Sequence, residues 1–439
     1  MEWIPKPVEN ILQQLEEAGF EGWCVGGCVR DHLLGRRPGD WDLTTSALPE
    51  ETLALFGERA IPTGLQHGTV TIPTDLGPVE LTTFRVDGEY QDHRRPDAVR
   101  FTCSLEEDLK RRDFTINAMA INRRGELRDP FSGREDLKAG LLRSVGEAER
   151  RFEEDALRIL RGLRFSSALG FSIEGETARA IREKRELLRE IAAERIWAEF
   201  SKLLCGPDAV ETLRRFPEVV GVFAPELLEM QGFEQHNPHH CYTVWEHTLH
   251  AMEQVPGDLI LRLTLLLHDM GKPRVFRLDE TGRGHFRGHQ RESAKMADGL
   301  LRRLRCDRKT RETVLLLVEE HDCIIERTES GLLHALHRFG EEDLRRLLAI
   351  KRADNLAQAP AYRGMQEEIS RAEEILEKLL AEGACYSIKQ LAVSGKDLLA
   401  LGLRGEALGK ALEALLEEVL SQRLPNQREA LLSRLKERI

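Results

Sequence analysis

The 439-residue chain has no apolar run of membrane-spanning length, and its N-terminus, MEWIPKPVENILQQLEEAGF, lacks the apolar core of a secretory signal. The expectation is a soluble, cytoplasmic protein with no membrane partner. Aromatic residues are scarce at 6%, and long runs rich in Leu, Ala, Glu and Arg favour helix over strand. The eight cysteines include no CxxC pair. Cys24 and Cys28 bracket two glycines, but no second pair completes a zinc site, which leaves reduced thiols. An excess of basic charge is also missing. The formal net charge of −11 argues against a surface uniformly coated for nucleic acid. A local stripe such as LRRLRCDRKTR (301–311) can still bind phosphate, although on its own it reads as a solvated helix face. There is no internal repeat and no low-complexity segment.

What is present is a long, charged, helix-rich chain. Apolar residues make up 41% and charged residues 32%, and the length calls for three or four units. Residues 8–19 read as an amphipathic helix closed by Gly19, leading into a short strand, GWCVGG. A second helix, ALPEETLALFG, follows the stretch DWD. HGTVTIPTDLGPVELTTFR alternates polar and apolar residues around turn signals at Thr74–Pro78 and reads as a hairpin. VDGEYQDHRRPDAVRF is polar and turn-rich and reads as a mobile loop. Strand signals vanish after about residue 136.

Residues 24–45, CVGGCVRDHLLGRRPGDWDLTT, organise the rest. Asp40 and Asp42 are one residue apart, so in a strand both carboxylates project into one cleft. Two hard oxygen ligands side by side suit Mg²⁺ and leave positions for substrate phosphates. Gly26-Gly27 lets the backbone approach a triphosphate closely, and a following helix N-terminus adds N–H donors. Glu80, in VELTTFR, lies on a strand that can neighbour DWD and supply a third carboxylate. Spacing alone leaves a solvent-facing residue equally open. LKRRDFTINAMAI (109–121) places Arg111, Arg112, Asp113 and Asn117 at the start of a helix, where Arg112 and Asp113 suit a sugar-phosphate. RRFEEDALRILRGLRF (150–165) reads as one amphipathic helix with Asp155 and Arg158 on one face. A rigid acceptor and a forked donor there can hydrogen-bond a base edge.

The order GGCVRD, DWDLTT, VELTTFR, RRDFTINAMA, EEDALRILRGLRF and AAERIWAEFSKLL closely resembles the bacterial class II tRNA nucleotidyltransferases, the CCA-adding enzymes, across essentially the whole chain. The resemblance implies a polymerase-β-like α/β head with a small mixed sheet, followed by an all-α neck, body and tail. It implies that Asp40 and Asp42 hold catalytic metals, and that Gly26, Gly27 and Arg30 cradle the triphosphate. Arg112 and Asp113, with Asn117 nearby, would meet the ribose. Asp155 and Arg158 would act as an amino-acid template for CTP or ATP, with Arg161 also in the nucleotide site and Glu194 and Arg195 bracing the template helix. The tRNA 3′-hydroxyl would attack the α-phosphate and pyrophosphate would leave. The loop element at Asp92, Arg94, Arg95 and Pro96 matches the one that governs the switch from C to A, which favours complete CCA addition over CC addition.

Residues 236–354 carry a second constellation: His247, His268-Asp269, His289, His321-Asp322 and Asp354. Imidazoles and carboxylates at this density are good ligands for one or two transition metals. Any single member reads as packed or solvated. The order H…HD…H…HD…D resembles the HD superfamily of metal-dependent phosphohydrolases. That resemblance implies phosphatase or 2′,3′-cyclic phosphodiesterase activity with Mn, Ni, Co or Fe held by His247, His268, Asp269 and Asp354, and His289 and His321 supporting a second metal or the substrate phosphate. In the C-terminal stretch, Lys396, Arg404 and Lys410 lie near glycines and helix starts. The family resemblance there implies contacts to the acceptor and TΨC arms of tRNA.

The expected organisation is a head over residues 1–140, a neck over 141–205, an HD-type body over 206–365 and a tail over 366–439. Rival readings are a poly(A) polymerase, a CC-only or A-only enzyme, a phosphohydrolase whose head merely binds nucleotide, and a tRNA-binding protein without catalysis.

Overall fold

A computed structural model describes residues 3–88 and 99–437, and the chain divides into two compact units, residues 1–225 and 226–439. The boundaries expected at 140 and 205 thus fall inside the first unit. Asp92, Arg94, Arg95 and Pro96 lie outside the described residues.

The first unit opens with α1 (Lys6–Glu17), which buries Val8, Ile11, Leu12 and Leu15 at helical spacing. It runs from Pro7 near its start, where the missing N–H is not needed, to Gly19 at φ +86°. Next come β1 (Gly22–Val25), α2 (Gly27–Leu33), β2 (Trp41–Thr45), α3 (Pro49–Phe56), β3 (Ile61–Gly64), β4 (Thr69–Thr74) and β5 (Gly77–Thr83). β4 and β5 form the expected hairpin, with Thr74 opposite Gly77 across a two-residue turn. After β6 (Arg85–Asp87), β7 (Val99–Phe101) and α4 (Leu105–Lys110) come β8 (Ala120–Asn122) and β9 (Leu127–Arg128).

Seven strands form one mixed sheet in the order β3-β4-β5-β2-β1-β8-β9. The β2–β5 pair is parallel and the other pairs are antiparallel. Trp23 and Val25 of β1 join Phe84, Leu109 and Ala120 in a buried cluster beneath the sheet. Each of the larger of these side chains contributes about 1.5–3 kcal/mol by leaving water.

Three local expectations are corrected. The ends of the stretch read as a loop, Arg85–Asp87 and Val99–Phe101, pair as an antiparallel ribbon. Arg111, Arg112, Asp113 and Asn117 do not begin a helix: they follow the end of α4 and lead through a single 3₁₀ turn, Thr115–Asn117, into β8. The run AMAIN is too short for periodicity to separate a buried strand from a helix, and pairing with β1 decides it. The segment 150–165 is likewise two helices.

After α5 (Gly133–Ala139), α6 (Ala148–Glu154) stops at Asp155, whose backbone is extended (φ −138°, ψ 101°), and α7 (Leu157–Leu169) begins beyond it. Asp155 caps α7 instead of lying within a helix, its Oδ1 accepting from the Leu157 N–H at 3.2 Å. α8 (Gly175–Glu183), α9 (Ala193–Leu204), α10 (Ala209–Arg215) and α11 (Pro217–Val220) complete the unit.

The second unit is almost wholly helical: α12 (Val244–Glu253), α13 (Leu259–Leu267), α14 (Lys272–Val275), α15 (His289–Arg303), α16 (Arg308–Glu320), α17 (Glu329–Leu356), α18 (Gln366–Ala381), α19 (Gly395–Ala400), α20 (Glu406–Leu420) and α21 (Arg428–Lys436). Leu-rich α13 is buried along nearly its whole length. α17 is broken at Gly340, where φ is +74°. Among the described residues, no helix is long and apolar enough to cross a membrane.

Candidate functional site

The edges of β1, β2, α2 and α7 enclose a cleft of about 710 Å³ in the first unit. Gly26, Gly27, Arg30, Asp40, Asp42, Arg112, Asp113, Asn117, Asp155, Arg158 and Arg161 all line it. Residues far apart in sequence are thus brought to one surface by the sheet and by the cap of α7.

Asp42 lies on β2 between buried Trp41 and Leu43, so the alternation of the strand turns it toward the cleft. Glu80 is its direct neighbour on the parallel strand β5. It is not among the residues lining the cleft but stands close enough to feel both aspartates. Desolvation, then Asp42, then Asp40 push its carboxyl above the usual range. Desolvation also raises Asp42, with Asp40 adding to it and Arg112 opposing. Carboxylates that repel one another at the mouth of a cleft fit a divalent cation.

Gly26 stands at φ +72°, a conformation costly for any other residue. A Cβ there would meet Arg112 Nη1 at 3.1 Å and Asp42 Oδ2 at 3.6 Å. This turn opens α2, whose fourth residue, Arg30, is held by Asp31 (2.9 Å) and by Asn117 Oδ1 (2.9 Å).

Asp113 has a different position from that expected of an open ribose acceptor. It is buried, and its two oxygens accept from the Phe114 N–H (2.8 Å), Asn117 Nδ2 (3.2 Å), and Arg161 Nε and Nη2 (2.8 and 2.6 Å). Burial opposes its charge, yet Arg161 and Asn117 hold it well below the usual carboxylate range. Four donors occupy its lone pairs, so Asp113 orients Arg161 and Asn117.

Arg158 is buried and equally fixed. It donates to Glu154 Oε2 (2.9 Å) and to the carbonyls of Arg151 (3.1 Å) and Arg111 (3.0 Å). Arg195 reaches to 3.7 Å from Asp155 Oδ2. Burial lifts the Asp155 carboxyl above its ordinary value.

The sequence reading missed His67, Arg85, Asp87, Arg164 and Phe165 in the cleft wall. Arg164 lies 3.9 Å from the Phe165 ring centroid, while Arg30 and Arg161 each lie 5.3 Å from it. The signal for Phe165 was available, since residues 158, 161 and 165 form one helical stripe. Arg85 and Asp87 come from β6, and His67 from a 3₁₀ turn (Leu65–His67) between β3 and β4, so their approach to the cleft depends on tertiary packing. Asp108, also missed, is fully buried and pairs with Arg111 at 2.9 Å and Arg112 at 3.5 Å.

The second unit holds the other constellation. His247, His268, Asp269 and Asp354 offer ligand atoms that all lie within 4.8 Å of one another, and Asp269, His289 and His321 form a second such group. His247 Nε2 is 2.8 Å from Asp354 Oδ1, and His289 Nε2 is 3.3 Å from Asp269 Oδ1. Each imidazole turns Nδ1 to a backbone carbonyl: His247 to Ala357 (3.3 Å), His268 to Leu265 (2.6 Å), His289 to Phe286 (2.9 Å) and His321 to Val318 (2.7 Å). That leaves all four Nε2 atoms pointing inward, the tautomer a metal requires. Lys272 Nζ also approaches Asp269 Oδ2 at 2.6 Å.

The basic run 301–311 is neutralised locally. Arg302, Arg303, Arg308 and Arg311 pair with Asp298, Glu226, Glu312 and Asp298 respectively. The run is not the single helix face expected, since it spans the end of α15, the turn after it and the start of α16, with these four arginines ion-paired.

Comparison with known proteins agrees with this architecture. The family model described as the poly A polymerase head domain matches residues 22–143. One described as the probable RNA and SrmB-binding site of polymerase A matches residues 170–219, and one described as tRNA nucleotidyltransferase domain 2 matches residues 290–435. The CCA-adding enzyme of Geobacillus thermodenitrificans is 50% identical over 221 residues, covering 50% of this chain and 54% of that protein. That of Leuconostoc mesenteroides is 53% identical over 205 residues, covering 47% and 51%. The chain therefore spans about half the length of the curated relatives it matches. The crystal structure of the Bacillus stearothermophilus CCA-adding enzyme in complex with CTP shares the fold with a TM-score of 0.72 and 30% identity, over 98% of this chain and 96% of that one. The Thermotoga maritima CCA-adding enzyme complexed with tRNA shares the fold alone, with a TM-score of 0.63 at 20% identity, over 100% of this chain and 97% of that one. A polymerase-β-like head on a mixed sheet, an all-helical remainder and an overlap of nearly the whole chain at 30% identity place this protein in the family of the CCA-adding enzymes, built on the poly A polymerase head domain.

Proposed function

We propose that this protein transfers CMP, CMP and AMP from CTP and ATP to the 3′ end of tRNA without a nucleic-acid template, releasing pyrophosphate. The observation that carries the reading is the cleft in which Asp40 and Asp42 face a wall of arginines that ends at Asp155 and Arg158. The CCA-adding relatives support it, as do the related enzyme bound to CTP and the one bound to tRNA. Asp40 and Asp42, with Glu80 beside them, would hold Mg²⁺, which when bound neutralises the triphosphate and makes the attacking hydroxyl more acidic.

The chain's own side chains do the rest. Arg30, Arg112 and the Gly26–Gly27 turn bind the phosphates. Asp113 fixes Arg161 and Asn117 against the sugar. Asp155 offers an acceptor and Arg158 a donor to the base edge, both immobilised by the cap and by backbone carbonyls, so that C and A are read by protein. A tail contact to tRNA through Lys396, Arg404 and Lys410, and a cytoplasmic location, belong to the same proposal. The test is transfer of label from α-labelled CTP to tRNA by the wild-type protein and by Asp42→Ala. Equal transfer by the two would contradict the reading.

A second reading concerns the histidine–aspartate cluster, because four imidazoles there present Nε2 to two buried or half-buried carboxylates. We infer an HD-type phosphohydrolase site. His247, His268, Asp269 and Asp354 would hold one transition metal and Asp269, His289 and His321 a second, which when bound supply Lewis acidity and an activated water. Hydrolysis of 2′,3′-cyclic AMP by the wild type but not by Asp269→Ala tests it.

A further inference from the structure

Asp108 is a fully buried carboxylate that the proposed transfer chemistry does not use. It lies on α4, and the spacing Asp-Leu-Lys-Arg-Arg places Arg111 and Arg112 three and four residues further on, which turns both toward its side. Arg111 Nε and Nη2 each lie 2.9 Å from Asp108 Oδ1, and Arg112 Nη2 lies 3.5 Å from Oδ2. Behind them the same carboxylate meets the sheet. The Arg85 N–H donates to Oδ1 at 3.4 Å, and the Thr44 hydroxyl of β2 lies 3.4 Å from Oδ2. Burial opposes the charge, yet Arg111 and Arg112 hold the carboxyl below its ordinary value.

Both arginines line the cleft. Arg112 Nη1 rests against the Gly26 turn, 3.1 Å from where a Cβ would stand. The Arg111 carbonyl accepts from Arg158 Nη2 at 3.0 Å. Asp108 is thus the common base of a guanidinium beside the phosphate turn and of the residue that steadies the base-reading arginine. Long side chains lose much rotamer freedom when they are fixed. A carboxylate that fixes two of them in the free protein removes that cost from ligand binding. We propose that Asp108 is a positioning residue for the triphosphate: by holding Arg111 and Arg112 at one buried carboxylate, it aims both guanidiniums at the same chain of phosphates. The proposal rests on the cleft being a nucleoside triphosphate site.

Two effects of removing this charge oppose each other. Taking a negative charge away from the neighbourhood of a polyanion strengthens attraction by Coulomb's law alone. Loss of positioning works the other way. Two guanidiniums released from one carboxylate repel each other, spread over many rotamers and must be reordered by the ligand. Asp108→Asn keeps the shape of the side chain and removes its charge, so the direction in which affinity changes decides between the two.

The test measures binding of CTP and of cytidine to the full-length protein by equilibrium dialysis with Mg²⁺ present, for wild type and Asp108→Asn, with urea unfolding as a check on the fold. In Asp108→Asn, CTP binding should weaken by roughly ten- to a hundredfold, while binding of cytidine, which has no phosphate to meet the arginines, stays unchanged. Asp108→Glu keeps the charge and moves it by one methylene. It should weaken CTP binding in the same direction and by less, and it carries the test if the Asn variant does not fold. Tighter CTP binding by Asp108→Asn would overturn the proposal, because charge alone would then govern affinity. So would equal losses for CTP and cytidine, the mark of a purely structural role, or unchanged CTP binding in either variant that folds. Wild-type protein that binds CTP no more tightly than cytidine would overturn the proposal together with the nucleotide reading of the cleft, whereas the other contrary results leave that reading standing.

Discussion

Asp42 and Glu80 are register partners on the parallel strands β2 and β5, and burial together with the neighbouring Asp42 charge raises the proton affinity of Glu80 at the edge of the arginine-lined cleft. The pairing gives each a distinct weight. Asp42 lines the cleft and Glu80 does not. Charge stabilisation by a bound metal is worth several kcal/mol, and about 1.4 kcal/mol is a factor of ten in rate. Asp42→Ala should therefore lower nucleotide transfer by roughly 10³-fold or more, with an unchanged circular dichroism spectrum. Glu80→Gln should cost less, about tenfold. Single-turnover rates at saturating CTP decide the order, and a larger loss in Glu80→Gln would invert the assignment.

Asp113 is predicted to matter for stability as well as rate. Its removal strands Arg161 beside a partly buried wall, so Asp113→Ala should destabilise the first unit by roughly 2–4 kcal/mol in urea unfolding. The pH dependence has a definite sign. The folded carboxyl titrates below its unfolded value of about 3.9, so its stabilisation is fully present above about pH 4 and is lost as pH falls through the folded value. Asp113→Asn should lose less stability than wild type between about pH 4 and pH 2. Parallel acid titrations of the two proteins would expose a contrary sign.

Much of this site was legible in the sequence. The i, i+2 spacing of Asp40 and Asp42, the two glycines and the Glu-Asp-Ala-Leu-Arg run all name residues that the fold gathers into one cleft. The misreadings have common physical causes. Asp155 was placed inside a helix because 150–165 keeps an apolar period through a break that depends on its own carboxylate capping α7. The run 109–121 carries the local signals of a helix start, although its end belongs to β8, whose strand character arises only by pairing with β1. Arg85 reaches the cleft from a ribbon paired across a long sequence separation, and His67 from the 3₁₀ turn before β4, for which one sequence carries no local signal.

Nucleotide choice should follow Asp155 and Arg158. Losing a well-placed donor or acceptor to a base edge costs about 1–3 kcal/mol of discrimination. Arg158→Ala should compress the preference for CTP over UTP by roughly ten- to a hundredfold, while transfer from the remaining nucleotide survives. Competition between CTP and UTP in one reaction measures this. An unaltered ratio would remove Arg158 from the base-reading role and leave it as a brace between Glu154 and the Arg111 carbonyl.

The histidine–aspartate cluster should bind metal whether or not it turns over. Mass spectrometry of protein reconstituted with Mn²⁺ or Ni²⁺ and then desalted should find up to two ions per chain for the two ligand groups. His289→Ala should remove one of them and Asp269→Ala both, since Asp269 belongs to each group. Retention of both ions in Asp269→Ala would contradict the shared-ligand arrangement.

The most direct measurement of the central claim is the sequence of the product made from a tRNA ending at its discriminator base. The wild-type protein would be supplied with Mg²⁺ and CTP alone, ATP alone, or both. The cleft chemistry proposed here predicts two C residues with CTP, none with ATP, and C, C, A followed by a stop with both. An untemplated run of A, or no extension by a protein with Asp40 and Asp42 intact, would contradict it.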